Sequence, residues 1–318
     1  MQFLDLPDPL IVVVGPTGVG KTAFAIDLAE KIDGEIVSAD SRLFYRGMDI
    51  GTAKPSPDDM ARVPHHLVNV SEPNQPWSMV LFQEKARQAI ESIYSRGCMP
   101  ILVGGTGQYI QAVIENWQAP LMEPDIQMRI ILETWGREIG PRQLFQRLKL
   151  IDPEAASHIE PNNLRRIVRA LEVIFKTGRR FSEQRLKHEP RYSICEIGLI
   201  LPRPILYQRI DHRIEQMIAN GLLEEVKGLI DQRVNPYLST FSAIGYREMR
   251  DVISGQLTME DAVISMKRLT RQYVRRQANW FKPDDPAIHW LAAESGSVEE
   301  AIRVLNLREN WAKKKVGA

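Results

Sequence analysis

The sequence contains few cysteines and no long hydrophobic run. Its two cysteines, Cys98 and Cys195, are far apart and lack CxxC spacing, so the 318-residue chain shows neither a disulfide framework nor a zinc motif. His65 and His66 are adjacent, but no cluster of Cys or carboxylate residues accompanies them, which favours a structural role. No apolar segment approaches the length that spans a bilayer, and the N-terminus lacks a signal-peptide pattern. We therefore expect a cytoplasmic protein with no membrane partner.

The chain also lacks a large net charge. It carries 41 Lys and Arg against 40 Asp and Glu, so its total charge alone indicates no polyanionic partner. The charges are unevenly distributed, however: residues 161–191 hold nine basic and three acidic residues, and residues 266–282 hold six basic and no acidic ones. Local basic surfaces of this kind can bind a nucleic-acid backbone on a nearly neutral protein.

A complete phosphate-binding motif stands near the start of the chain. The apolar residues 10–14 run into Gly15-Pro16-Thr17-Gly18-Val19-Gly20-Lys21-Thr22, which matches G-x-x-x-x-G-K-[ST]. In this motif backbone N–H groups and a helix N-terminus bind phosphate oxygens. Lys21 would neutralise terminal phosphate oxygens, and the Thr22 hydroxyl would reach a phosphate-bound Mg²⁺. Taken alone, the motif indicates an ATP-binding or other nucleotide-binding protein.

The pattern along the chain predicts an α/β fold, in which a P-loop parallel sheet is flanked by helices and carries an inserted all-helical domain. Strands are predicted at 35–39, 100–103 and 195–201, and helices at 79–96, 205–220, 222–232, 259–281 and 298–307. Prolines near residue 120 and a charge-rich helical pattern mark the insertion. We predict a core of residues 1–117 and 192–318, an insertion of residues 118–191 that binds RNA, and a solvated tail from residue 308.

Three loops should meet at one edge of this sheet, because ligands bind beyond the carboxyl ends of parallel strands. They are the phosphate loop, the segment containing Asp40, and the loop 104–107. At a strand end, Asp40 could be a magnesium ligand or a general base, or it could cap a helix. The strand before residue 104 ends in Gly-Gly-Thr-Gly and has no Asp of the kind that holds magnesium in NTPases. Nucleotide hydrolysis is therefore not required by the pattern.

Two basic helical patterns leave alternatives open. Arg209 and Arg213 lie one helical turn apart, where they could bind a diphosphate or form a solvated, salt-bridged face. In residues 266–282 the basic residues share two neighbouring helix faces, and Tyr273 and Trp280 stand among them. Such a surface suits looped-out RNA, or else it consists of packed aromatic residues beside solvated charges.

Several short segments together resemble the bacterial tRNA dimethylallyltransferases, also called tRNA isopentenyltransferases. They are residues 15–22, 38–41, 45–55, 65–67, 103–107, 169–173, 245–247 and 275–277. The resemblance extends from about residue 11 to residue 290, and the segment 45–55 is its most specific part. It implies transfer of a dimethylallyl group from dimethylallyl diphosphate to N6 of the adenosine 3′ to the anticodon of tRNA. Mg²⁺ as cofactor, the anticodon stem-loop as partner and a monomeric enzyme are expected with it.

The resemblance also implies residue roles. Asp40 would be the general base, Thr106 would hydrogen-bond at the adenine site, and Lys21 and Arg213 would hold the diphosphate. The diphosphate site would comprise Gly15, Pro16, Thr17, Gly18, Val19, Gly20, Lys21, Thr22, Arg209 and Arg213, with Thr22 on the metal. The tRNA contacts would be Asp40, Ser41, Arg42, Leu43, Thr106, Gln127, Arg129, Asn163, Leu164, Arg165, Arg166, Ile167, Thr240, Phe241, Ser242, Ala243, Ile244, Arg276 and Gln277. Leu43 stands where many relatives have Gln, and Val68-Asn69 stands where Ile-Asp is usual.

Three other functions are compatible with parts of the sequence. An isopentenyltransferase acting on free adenine nucleotides would share the phosphate loop and Asp40, but it would not need the basic insertion. A kinase or NTPase that binds RNA would need the missing metal-binding Asp. A non-catalytic RNA-binding module would leave Asp40 beside the phosphate loop without a role.

Overall fold

A computed structural model describes residues 8–117, 125–184, 189–294 and 296–307. The chain divides into two compact units, which we call the core unit (Met1–Ile114 with Pro190–Ala318) and the insertion unit (Glu115–Glu189). The predicted tail from residue 308 and the prolines at 120 and 124 lie outside the described residues. Within the described part of the chain, no helix combines the length and apolar character needed to cross a membrane.

The core unit is built on a six-stranded parallel sheet. Its strands are β1 (Asp8–Val14), β2 (Gly34–Ser38), β3 (His65–His66), β4 (Met99–Val103), β5 (Tyr192–Ile200) and β6 (Ile288–Ala292), in the order β3-β2-β4-β1-β5-β6. The central strand β1 pairs Ile11 with Ile101 on one side and Cys195 on the other. Its residues Leu10–Val14 are inaccessible to solvent, because helices cover both faces of a parallel sheet. The predicted α/β fold is confirmed.

Helices follow the strands in the order that the sequence pattern indicates. They are α1 (Lys21–Ile32), α2 (Pro57–Arg62), α3 (Met79–Ser95), α4 (Gly107–Ile114), α5 (Ile126–Ile139), α6 (Pro141–Ile151), α7 (Pro153–Ser157), α8 (Leu164–Thr177), α9 (Arg203–Ala219), α10 (Leu222–Asp231), α11 (Tyr246–Ile253), α12 (Met259–Gln277) and α13 (Ser297–Asn306). Short 3₁₀ turns occupy Ser182–Gln184 and Ser239–Ser242.

The sequence pattern misplaced one helix end and missed several short elements. The helix predicted for 259–281 ends at Gln277, after which the chain turns so that Phe281 enters the core with 3% of its surface exposed. The strands β3 and β6 and the helices α2, α4 and α11 were not predicted. All five are short, so their hydrophobic periodicity covers too few residues to distinguish them from loops.

All regular elements of the insertion unit within residues 125–184 are helices, as predicted, and α5–α8 pack around a small apolar core. Leu144, Leu148, Ile167 and Leu171 are all fully buried in it. Gly136 of α5 provides close packing, since a Cβ there would overlap the side chain of Leu164 at the start of α8. The unit therefore has a hydrophobic core of its own.

One buried charged residue of this unit is Glu172, whose side chain has no solvent exposure. It accepts hydrogen bonds from the backbone N–H of Asp125 (2.7 Å), Arg129 Nε (2.9 Å) and Arg169 Nη1 (2.7 Å). Burial raises the pKa of Glu172, but these hydrogen bonds outweigh it, and the pKa lies below its ordinary value. The carboxylate therefore links α5 to α8 in its charged form.

Candidate active site

The phosphate loop joins β1 to α1 through glycines in conformations that other residues rarely adopt. Gly15 has φ 143°, and a Cβ on it would lie 2.6 Å from the carbonyl oxygen of Leu199 in β5. Gly20 has φ 106° and precedes the first residue of α1. On the opposite side of the loop, a Cβ on Gly18 would lie 3.0 Å from Ile210 Cγ1 of α9. The loop is therefore held between β5 and α9, with little room for larger residues.

Lys21 begins α1 and turns back over the loop. Its Nζ donates hydrogen bonds to the carbonyl oxygens of Gly15 (2.9 Å) and Pro16 (3.0 Å). Burial lowers the pKa of Lys21 to about 8, although the negative charge of Asp40 acts in the opposite direction. The ammonium group thus lies close enough to Asp40 for the two charges to interact.

Asp40 follows β2 and forms a turn of its own. Its Oδ1 accepts a hydrogen bond from the backbone N–H of Arg42 at 3.0 Å. The next helix, α2, is capped instead by Ser56, whose side chain accepts from the backbone N–H of Asp59. The alternative that Asp40 caps a helix is therefore wrong, and its carboxylate remains available at the end of the strand.

The loop after β4 lies directly against the end of β2. The backbone N–H of Ala39 donates to the carbonyl oxygen of Val103 at 2.7 Å, and a Cβ on Gly104 would overlap the carbonyl group of Ala39. Thr106 Oγ1 accepts a hydrogen bond from the backbone N–H of Ser41 at 3.3 Å. Asp40 and Thr106 are consequently brought to one place by the close contact of two loops.

The three loops open onto one cavity of about 330 Å³. Its polar lining consists of Thr17, Asp40, Ser41, Arg42, Thr52, Thr106, Arg213, Ser242, Thr270, Tyr273 and Arg276. Its apolar lining consists of Gly51, Ile210, Ile214, Met217, Ala243, Ile244 and Met266. A cavity with a charged part and an apolar part can hold a ligand that has an anionic head and a hydrocarbon chain.

Arg209 and Arg213 of α9 do not face the same space. Arg213 lines the cavity and donates from Nη2 to the carbonyl oxygen of Thr52 at 3.3 Å. Burial lowers the pKa of its guanidinium, and Asp40 opposes this effect. Arg209 instead donates to the carbonyl oxygen of Val19 at 3.3 Å and lines a separate depression beside Gly20. Only Arg213 of the pair therefore faces the same space as Asp40.

The segment 45–55 is mainly a scaffold for the cavity wall. The Lys54 side chain, 3% exposed, pairs with Asp49 and donates to Asn69 Oδ1 at 2.6 Å and to the carbonyl oxygen of Tyr45 at 2.7 Å. Glu225 of α10 accepts hydrogen bonds from the backbone N–H groups of Asp49 (3.0 Å) and Ile50 (2.7 Å). These bonds set the turn that places the next two residues, 51 and 52, in the cavity lining.

The two adjacent histidines have structural partners. His66 Nε2 lies 2.6 Å from Glu35 Oε2, and His65 Nδ1 lies 2.7 Å from the carbonyl oxygen of Val63. Across the residues that the structure describes, no group of three or more His, Cys, Asp or Glu residues could hold a metal ion. Cys98 and Cys195 are not joined in a disulfide.

The predicted RNA contacts of the core unit differ in accessibility. Arg42 donates to the carbonyl oxygens of Ser239 (3.1 Å) and Thr240 (3.3 Å) and to Ser242 Oγ (3.2 Å). Within residues 240–244, the Ser242 side chain is exposed and Ile244 is half-buried, whereas Thr240, Phe241 and Ala243 are buried. Of these five side chains, those of Ser242 and Ile244 are therefore the most accessible.

The predicted contacts of the insertion unit differ in the same way. Arg165, Arg166 and Gln127 are exposed, whereas Ile167 is fully buried in the small core. The Asn163 side chain caps α8 by accepting from the backbone N–H of Arg166 at 3.2 Å. Leu164 packs on Gly136, and Arg129 is paired with Glu172. Within the predicted contact residues 163–167, the exposed side chains are therefore those of Arg165 and Arg166.

Tyr273 of α12 is a cavity residue that the sequence did not single out as part of the site. It lines the cavity with Asp40 and Thr106, and both of these residues influence the pKa of its phenol. Burial raises the pKa of Tyr273 to about 12, so its phenol is protonated at neutral pH. The Arg276 guanidinium carbon lies 5.9 Å from the centre of its ring. In the sequence, Tyr273 stands three residues before Arg276 on a predicted helix, so the two side chains share a helix face. This spacing was the signal that could have placed Tyr273 in the site.

Fold and cavity together define the class of protein: an α/β P-loop protein whose phosphate loop shares a cavity with a strand-end aspartate and an apolar wall. The sequence profile of the IPP transferase family matches residues 43–284. A tRNA dimethylallyltransferase of Roseiflexus castenholzii is 51% identical over 274 residues, covering 86% of this chain and 90% of the relative. A tRNA dimethylallyltransferase of Geobacillus thermodenitrificans is 44% identical over 288 residues, covering 90% and 91%.

Solved structures give the same result. The full-length tRNA isopentenylpyrophosphate transferase of Bacillus halodurans matches with a TM-score of 0.71 and 38% identity, over 97% of this chain and 98% of that one. A eukaryotic dimethylallyltransferase, described as acting on tRNA, matches with a TM-score of 0.78 and 28% identity, over 96% and 80%. The chain belongs to the IPP transferase family, and it is a transferase.

Proposed function

We propose that this protein transfers the dimethylallyl group of dimethylallyl diphosphate to N6 of the adenosine 3′ to the anticodon in tRNA. The observation that carries the proposal is the shared cavity, in which Asp40 and Thr106 lie with Arg213 and the phosphate-loop residue Thr17. The relatives of known name act on tRNA, which supports the acceptor. We expect the enzyme to act as a monomer, and sedimentation analysis would check this.

In the proposed reaction, the N6 lone pair of adenine attacks C1 of the dimethylallyl group as the bond from C1 to the diphosphate oxygen breaks. The electron pair of that bond leaves with diphosphate, and the N6 proton passes to Asp40. Adenine N6 is a weak nucleophile, so the step depends on a positioned base and on stabilisation of the leaving group. Lys21 and Arg213 supply positive charge for the latter.

The phosphate loop also suits a magnesium ion. Thr22 is exposed in the first turn of α1, and its hydroxyl, together with diphosphate oxygens, would provide the hard oxygen ligands that Mg²⁺ prefers. When bound, the ion would neutralise charge that develops on the leaving diphosphate. No ligand from Cys or His is needed for this arrangement.

The cavity also supports a prenyl donor. Ile210, Ile214 and Met217 line it from consecutive turns of α9, beginning at the residue that contacts Gly18 of the phosphate loop. A rise of about 1.5 Å per residue extends this apolar wall by about 10 Å from Ile210 to Met217. That length accommodates a five-carbon chain beside the diphosphate.

The insertion unit supports RNA as the acceptor. Arg165 and Arg166 are exposed in the first turn of α8, where the described residues include no acidic side chain. A helix N-terminus already favours anions, so two arginines at this position produce a strong local attraction for phosphate groups. The target adenosine would have to leave the base stack in order to enter the cavity.

A labelling experiment tests the proposal. Purified protein, Mg²⁺ and radiolabelled dimethylallyl diphosphate are incubated with tRNA that has adenosine 3′ to the anticodon, and with the same tRNA carrying guanosine there. We expect label in the first tRNA only, no label in AMP, and no hydrolysis of ATP. Label in AMP but not in tRNA would instead establish the nucleotide-modifying alternative.

A further inference from the structure

The side chain of Gln277, the last residue of α12, lies between two loops of the site. Its Oε1 accepts a hydrogen bond from the backbone N–H of Thr17 in the phosphate loop at 2.9 Å. Its Nε2 donates to the carbonyl oxygen of Gly105 at 3.0 Å. Only 3% of the residue is exposed, so it is not accessible to RNA in this conformation.

The two partners determine the orientation of this amide. A backbone N–H can only donate and a backbone carbonyl can only accept, so the side chain must present its oxygen to Thr17 and its nitrogen to Gly105. Among the residues close to it in shape, Glu can make the first bond but not the second, and Met can make neither. The site thus requires a side chain with both an acceptor and a donor at this length.

The backbone around Gln277 is packed so closely that the bridge has little freedom. A Cβ on Gly105 would overlap Gln277 Nε2, and a Cβ on Gly107 would overlap the ring of Trp280. The backbone N–H of Trp280 in turn donates to the carbonyl oxygen of Gln277 at 3.0 Å. The end of α12 is therefore attached to the loop 104–107 at two points.

We propose that Gln277 is a positioning residue of the transfer reaction: its amide ties the phosphate loop at Thr17 to the loop at Gly105 and so holds the diphosphate site at a constant distance from Thr106. This inference rests on the proposed function, because that function assigns the diphosphate to the phosphate loop and the adenine to the loop that contains Thr106. In this proposal, positioning of the two loops takes the place of the direct RNA contact that the family resemblance implies for Gln277. Small displacements of a reacting group reduce rates strongly, which is why such a tie matters.

The test compares Gln277→Ala with Asn279→Ala, which removes an exposed amide two residues further along. We expect Gln277→Ala to lower kcat/KM for dimethylallyl diphosphate by about 10- to 100-fold. Titration with magnesium pyrophosphate should show affinity weakened by about tenfold, while the Kd for tRNA changes by less than about threefold because no RNA contact is lost. Gln277→Glu should behave like Gln277→Ala, and Asn279→Ala like the unmodified protein.

A second variant perturbs the same bridge from the other side. Gly105→Ala would push the Gln277 amide away, so it should also weaken pyrophosphate binding. Because Gln277→Ala removes the atoms that would be pushed, Gly105→Ala should cause little further loss in that background, which is the coupling that a double-mutant cycle detects. Melting temperatures measured alongside would show that each variant is folded.

Two results would overturn the proposal. One is a loss confined to tRNA affinity, with pyrophosphate affinity unchanged, which would make Gln277 an RNA contact. The other is a double variant whose loss of pyrophosphate affinity equals the product of the two single fold-losses. That result would mean that Gly105 and Gln277 act independently. The pyrophosphate cycle does not depend on which acceptor is modified, so failure of the proposed function would be seen separately, as absence of transfer by the unmodified protein.

Discussion

The cavity of the core unit and the first turn of α8 in the insertion unit both carry charged residues, but they hold them differently. In the cavity, Asp40 accepts from the backbone of its own turn, and Arg213 donates to the carbonyl oxygen of Thr52. In the insertion unit, Arg165 and Arg166 extend into solvent. Chemistry on a bound group requires fixed atoms, whereas attraction of a phosphate backbone requires mainly charge.

The insertion unit nevertheless uses other basic residues structurally. Arg129 and Arg169 surround the buried Glu172, and Lys176 pairs with Asp125 at 3.5 Å. The basic stretch of the sequence therefore combines residues that stabilise the unit with residues that are available for binding. The number of charges in a segment therefore does not show how many of them are able to bind a ligand.

The largest effect is expected for Asp40→Asn, which tests whether the fixed charge in the cavity takes part in the chemistry. Asparagine keeps an oxygen that can accept from the Arg42 N–H, so the turn should persist while the base is lost. We expect kcat to fall by about 10²- to 10⁴-fold with little change in the Kd for tRNA. Single-turnover rates and filter binding measure the two quantities. If tRNA binding collapsed with turnover unchanged, Asp40 would belong to the binding surface.

Glu172→Gln tests whether the buried ion pairs of the insertion unit stabilise it. Removal of the buried charge from between Arg129 and Arg169 should destabilise α5 and α8 by about 1.5–3 kcal/mol. Hydrogen exchange should show faster opening of these helices, with β1 protected as before. Because the pKa of Glu172 is lowered in the folded protein, this stabilisation is present above the unfolded pKa and lost as pH falls through the folded one. Unchanged exchange in α8 would contradict the role assigned to Glu172.

Charge reversal at Arg165 and Arg166 tests whether the exposed arginines of the insertion unit bind tRNA. Arg165→Glu with Arg166→Glu should weaken tRNA binding by about 10- to 30-fold and reduce the slope of log K against log salt by about two. The matched control is Arg137→Glu with Arg147→Glu, which makes the same charge change at exposed positions of the same unit. Equal effects in both double variants would mean that only the total charge of the unit matters.

The pH dependence of anion binding tests the role of Lys21 at the phosphate loop. Its pKa is about 8, so above that pH the lysine must take up a proton in order to bind an anion. Pyrophosphate affinity should therefore fall by about tenfold between pH 7 and pH 9. Lys21→Arg keeps its charge throughout this range, and its pH profile corrects for titration of pyrophosphate itself. Identical profiles for the two proteins would exclude Lys21 as the titrating group.

Much of the site was predictable because its signals are local. The phosphate loop is a continuous motif, and Asp40 and Thr106 follow strands whose carboxyl ends meet at one edge of a parallel sheet. The boundaries of α3 were predicted to within one residue at each end, since its periodicity covers several turns. The short strand β6 at the edge of the sheet and the early end of α12 gave no comparable signal.

The sequence by itself determined the fold class, the phosphate loop, the strand-end aspartate and the family, because each depends on residues that are close together in the chain. Only the tertiary structure decided that Gln277 contacts Thr17 across 260 positions, that Tyr273 lines one cavity with Thr106, and which arginines remain exposed. The physical reason is that hydrogen bonds and burial depend on distances in space. Residues far apart in the chain acquire those distances only when the sheet and helices have packed.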